Sequence, residues 1–206
     1  AVSSGAGLKP IAHAEPNSAE GRLTITGLVE HPLNLSFTEL AAMPQTTVNA
    51  ALICVGSPDS VVAEGNWIGV NLWFLLETAG VSSGAVKVAF YASDGFSTDL
   101  PVETAKREDI ILAYEKDGVP LSEKLRLVVP GKWGYKWISQ VTSIELVDYD
   151  FKGFWESRGY SDEADIGDGI VPEFPSVVFL LVSLIWVALF MLLLKKRAKL
   201  GSPFKS

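Results

Sequence analysis

A lone thiol is the first group in this 206-residue chain whose chemistry calls for an explanation. Cys54 is the only cysteine, so an internal disulfide framework is excluded, and the thiol must be buried, paired with another chain, or used. Histidine offers little. His13 and His31 both precede the expected core and read most simply as a tail residue and a turn residue. The sequence holds no nucleophile elbow, no metal-binding histidine pair and no Walker-type phosphate loop. Composition by itself therefore points to no enzyme class.

The elements that must position Cys54 are short. Arg22 to Val29 alternates apolar and polar residues as a strand does, and His31-Pro32 makes a turn. Ser36 and Glu39 form a capping-box pair ahead of Leu40 and predict a short helix. Thr47 to Cys54 reads as a strand with Val48, Ala50, Leu52 and Cys54 on one face, and a loop containing Gly56, Pro58 and Gly65 follows. Asn71 to Ala79 has helical spacing, with Gly80 as its stop. Val86 to Tyr91 and Phe96 to Leu100 flank the hairpin signal Ser93-Asp94-Gly95. Pro101 to Glu108 predicts a short polar helix, and Ile110 to Glu115, Leu125 to Val129 and Val141 to Val147 predict strands. Many short strands with small helices between them define an α+β domain dominated by β structure, expected over residues 21–150 after an extended arm at 1–20.

Beyond that domain the composition changes. Residues 151–175 carry Gly, acidic residues and prolines and read as a stalk, with the acids from Asp162 to Asp168 as a solubilising surface. Val177 to Leu194 is eighteen residues with only Ser183 polar. As a helix it would span about 27 Å, close to a bilayer's hydrocarbon thickness, so a transmembrane helix is expected at 176–195. Lys195 to Lys199 opens a basic tail reaching residue 206, and basic residues mark the cytoplasmic end of a span. A single-pass cell-membrane protein with its domain outside is expected, its leader removed before Ala1. The residues before the span hold 12 Lys and Arg against 24 Asp and Glu. Such a surface repels nucleic acid and anionic lipid.

The order of the remaining signals resembles the molybdopterin-binding domain of the sulfite oxidase family, from about Leu23 to Tyr160. The run starts with Gly27 to Leu33 and Leu35-Ser36-Phe37-Thr38-Glu39-Leu40. Leu52 to Pro58 is similar to the segment around that family's metal-ligand cysteine, and Trp67 to Leu72 with Leu75-Leu76 to its helix entry. Ser93 to Phe96, Leu100-Pro101, Leu112 to Leu121, Leu125 to Pro130 and Gly131 to Trp137 continue the series in order. Val171 to Ser176 before the span resembles the "PEF" sorting tail of archaeal surface proteins.

The resemblance implies a pterin-bound molybdenum or tungsten with Cys54 as metal ligand and catalytic centre. A thiolate is a soft ligand suited to such a metal, and ligation would account for the lone cysteine. It also implies that Lys132 and Lys136 hold the pterin phosphate, with Gly134 among the glycines that let backbone approach it. The implied chemistry is oxygen-atom transfer, with electrons passed to a separate partner protein. Several positions depart from the family's pattern. Val55-Gly56-Ser57-Pro58-Asp59 contains no arginine after the cysteine, Ser139 stands at a basic position, and His13 with Asn17 is at best a remnant of an amino-terminal Asn-His element. These departures keep a second expectation open: a cofactor-free fold serving as a binding or scaffolding subunit of a membrane complex, with Cys54 an inert thiol. Trp133, Tyr135, Trp137, Phe151, Phe154 and Trp155 are then either a partner surface or packed aromatics.

Overall fold

The computed structural model describes residues 21–168 together with Trp186 and Met191. The expected arm at 1–20, the end of the stalk, the membrane helix at 176–195 (those two positions apart) and the basic tail at 196–206 lie outside the described residues. Among the described residues no helix is long and apolar enough to cross a membrane.

Two five-stranded sheets carry the domain. The first contains β1 (Arg22–Gly27), β2 (Leu33–Ser36), β5 (Lys87–Ala92), β6 (Ser97–Pro101) and β10 (Val141–Val147), in the order β2-β1-β10-β5-β6. Its β1–β10 pair is parallel, so the first and last strands lie side by side. The second sheet runs β3 (Gln45–Cys54), β4 (Ser57–Asn71), β7 (Ile111–Lys116), β8 (Val119–Pro120), with β9 (Arg126–Val128) also paired to β7. One core cluster draws on both sheets, including Ile25, Phe90 and Ile144 from the first and Val70, Leu112 and Leu127 from the second.

The helices are short, as expected, and one is shorter than the sequence predicts. Ser36 and Glu39 form both bonds of the capping box at the start of α1 (Phe37–Ala41). Asn71 caps α2 (Leu72–Ala79) by accepting from the Phe74 N–H, and Gly80 ends it at a φ of 73°. That left-handed geometry costs glycine little. Leu72, Leu75, Leu76 and Ala79 are all buried. The polar helix expected over 101–108 is confined to α3 (Val102–Ala105).

Two expectations are corrected. The segment after Cys54 is a strand and not a loop. A tight turn at Val55-Gly56 brings the chain straight back, and Ser57 onward pairs with β3 from Cys54 to Gln45. Cross-strand pairing overrides the turn signals of Pro58 and Gly65, because β4 gains a partner along most of its length. The segment from 151, expected to open the stalk, is folded back as a strap. Phe154 N–H donates to Ser97 O, Trp133 N–H to Ala164 O and Ile166 N–H to Gly131 O.

Candidate functional site

The site begins where the alternation of β3 breaks. Val48, Ala50 and Leu52 face the core as the pattern requires, and the same alternation would bury Cys54 with them. The register between β3 and β4 shifts at Leu52/Ile53 and again at Ile53/Cys54. Such irregularities turn side chains, and the Cys54 thiol is exposed. An inert thiol buried in a strand is therefore not what the fold contains.

Cys54 opens onto a hollow of about 440 Å³. Leu52, Val55 and Phe96 form apolar wall, and further wall comes from Gly134 and Tyr135 of the 3-10 turn Gly134–Lys136 and from Trp137 to Ser139 after it. Gly134 permits this meeting. A Cβ there would lie 2.9 Å from Ile53 O and 3.1 Å from Leu52 Cδ2, so any larger residue would push the turn away from the strand that carries the thiol.

The expected lysines do not reach the hollow. Tyr135 and Trp137 line it, while Lys136 between them points the other way and is 0% exposed. Its Nζ lies 2.7 Å from Glu156 Oε1, 3.2 Å from Asp99 Oδ1 and 3.1 Å from Asp99 O. Lys132 is 5% exposed, with Nζ 3.0 Å from Asp165 Oδ1 and 3.5 Å from Glu163 Oε2. Burying an ammonium is costly unless carboxylates surround it, and Asp99 of β6 together with the folded-back strap supplies them. The acids from 162 onward are accordingly not only a solubilising surface. Asp162, Glu163 and Asp165 are all lysine partners.

The charge cluster behind the wall is continuous. Lys87 contacts Asp99, Asp150 and Asp162. Burial pushes the Lys87 ammonium down, but bonds to Asp162 and Asp99 outweigh it and leave its pKa above the ordinary lysine range. Burial raises Asp99 despite Lys136 and Lys87 beside it. Burial also works to raise Asp162, but the Lys87 and Lys152 bonds prevail and it ends low. Glu156 Oε1 accepts from the Thr98 hydroxyl at 2.7 Å, and its Oε2 is buried without a hydrogen-bond partner.

Two contributors to the hollow were not expected. Arg126 lines it, held by Glu123 Oε1 at 2.8 Å and by Trp137 O at 3.1 Å. Its only signal in the sequence is its place inside the family-like stretch Leu125 to Pro130. Trp155, from the strap, closes another side. Of the six aromatics left open as packed or partner-facing, Trp133, Tyr135 and Trp137 are buried, Phe151 and Trp155 are half-buried, and Phe154 is exposed.

Comparison with known proteins decides the family. Residues 10–155 match the profile of the oxidoreductase molybdopterin binding domain. The chain belongs to this family. Oxidoreductase YuiH of Bacillus subtilis (strain 168) is 32% identical to this member over 147 residues, 69% of this chain and 73% of that protein. Sulfite oxidase of Arabidopsis thaliana is 27% identical and aligns over 67% of this chain but 44% of its own length. The sulfane dehydrogenase SoxCD from Paracoccus pantotrophus has the same fold, with a TM-score of 0.59 and 27% identity over 69% of this chain and 41% of that one. This family member thus spans less than half of the sulfite oxidase and the dehydrogenase.

Family membership implies a molybdenum cofactor, and the residues on the hollow fit one. Cys54 supplies a soft sulfur donor and Arg126 a guanidinium suited to an anionic group. Leu52, Phe96, Trp137 and Trp155 supply apolar wall for a flat ring system, within a volume usual for cofactor sites.

Proposed function

We propose that this chain is the molybdopterin-bearing part of an oxidoreductase held at the outer face of a membrane. The carrying observation is that the exposed Cys54 and Arg126 line one hollow. In this reading Cys54 ligates the metal, Arg126 holds the cofactor's anionic end, and Gly134 keeps the turn close to β3. Bound there, the cofactor would supply oxygen-atom transfer chemistry, with molybdenum or tungsten as the metal. The aromatic walls would exclude water from the metal's surroundings.

Electrons would be exchanged with a separate protein. The "putative protein-methionine-sulfoxide reductase subunit YedZ1" of Azospira oryzae, 28% identical over 71% of this chain and 56% of its own length, is by name a subunit. We propose that this chain too works with a partner protein, and that it is built as domain 21–150, the folded strap and the rest of the stalk, a transmembrane helix over 176–195 and a cytoplasmic tail over 196–206. The Pro-Glu-Phe-Pro run at 172–175 supports an archaeal surface location.

The rival reading, a cofactor-free scaffold, draws on the two buried lysines and on the missing arginine after Cys54. Metal and pterin analysis of the full chain purified from membranes separates the two. Stoichiometric molybdenum or tungsten with pterin is expected; protein devoid of both overturns the proposed function.

A further inference from the structure

The strap over 150–165 is tied to the domain by backbone hydrogen bonds, aromatic packing and ion pairs, and the buried ion pair of Glu156 adjoins the residue that closes the hollow. Gly153 sits against β6 so tightly that a Cβ would lie 2.5 Å from Thr98 Cα and 2.6 Å from Glu156 Oε2. Phe154 N–H then donates to Ser97 O at 2.8 Å. Trp155 follows, on the wall of the hollow, with its ring centroid 4.9 Å from that of Tyr160. Glu156 comes next, bonded to Thr98 and to the buried Lys136, and Asp162 beyond it reaches Lys87. Apolar packing alone is non-directional and would let the indole slide. An ion pair one residue away, with both side chains fully enclosed, holds the backbone at a defined place.

We propose that Lys136 is a positioning residue, whose ammonium fixes Glu156 and through it holds Trp155 against the hollow beside Cys54. The inference rests on the reading of that hollow as the cofactor site, but the latch is a property of the protein alone and can be read without cofactor. Lys136 serves the site from behind its wall, and the anionic end of the cofactor is left to Arg126.

Two measurements on the full chain test it. In the first, hydrogen exchange and pterin content are compared across variants. Lys136→Met and Glu156→Gln are expected to speed exchange of amides 153–160 by about tenfold relative to the β5 and β10 amides and to lower pterin content. Trp155→Ala is expected to lower pterin content with exchange of 156–160 within about twofold of the parent. Glu156→Gln keeps the side chain's volume and leaves Lys136 paired with Asp99, so it reads the latch even if Lys136→Met does not fold. In the second, a bimane label on Cys54 of cofactor-free protein reports quenching by Trp155, with Trp155→Phe giving the unquenched reference; Glu156→Gln is expected to recover most of that reference intensity. Loss of pterin in Lys136→Met with strap exchange unchanged would overturn the proposal, since Lys136 would then act at the cofactor directly. Unchanged quenching in Glu156→Gln would overturn it too. Parent protein without pterin would defeat the proposed function and leave exchange and quenching to decide the latch.

Discussion

Lys136 Nζ and Glu156 Oε1 lie 2.7 Å apart with both side chains fully enclosed. Breaking a buried pair from one side leaves an uncompensated charge, which costs roughly 3–5 kcal/mol. Lys136→Met strands Glu156 and half of Asp99's compensation, so urea denaturation is expected to show a loss of that order. Adding Glu156→Gln to Lys136→Met is expected to recover part of the loss, because the two side chains share one interaction.

Cys54→Ser separates chemistry from stability. The thiol is exposed, and exposed substitutions away from special features change stability by no more than about 0.5 kcal/mol. Metal analysis is expected to show molybdenum or tungsten lost from this variant, while cofactor-free parent and variant share one denaturation midpoint.

Arg126 differs from an interchangeable cation. Its fork spans Glu123 Oε1 and Trp137 O at once, and a lysine cannot reproduce that planar geometry. Arg126→Lys is expected to lose pterin nearly as fully as Arg126→Ala. Full pterin retention in the lysine variant would reduce the role of Arg126 to charge alone.

Gly69 is irreplaceable for packing. A Cβ there would lie 2.2 Å from Leu112 O and 2.5 Å from Ala113 Cα, at the register shift between β4 and β7. The atoms met are all β7 backbone, which leaves nothing flexible to yield. Gly69→Ala is expected to destabilise by about 3 kcal/mol or more, at the upper end of overpacking costs, measured by chemical denaturation.

The alkaline limb of the stability profile follows from three raised groups. Lys87 ends above its ordinary range, where its carboxylate bonds outweigh burial. Burial, then Glu145, pushes Tyr91 up to about 12, and burial, then Glu156, raises Tyr135. Each proton is held more tightly in the fold than in the unfolded chain, so this stability is complete below about pH 10 and lost as pH rises through the folded pKa values. Denaturation midpoints are expected to fall between pH 9 and pH 12, and less steeply in Tyr135→Phe.

Much of the local structure was legible because it depends on neighbours in the chain. The capping box at Ser36 and Glu39, the helix from Leu72 ended by Gly80, and the alternation of Val48, Ala50 and Leu52 are each set by residues a few positions apart. The ordered motifs from Gly27 to Trp137 likewise carry the family. What lay beyond reach depends on contacts made across the chain. The β3–β4 register shift decides that Cys54 faces the hollow, and no alternation pattern contains it. Lys136 reads as a phosphate anchor by its motif, yet Asp99 and Glu156, 37 positions before it and well after it, surround the ammonium with carboxylates. Buried charge is tolerated only where opposite charge is delivered to it, and which acids arrive is decided by tertiary folding alone.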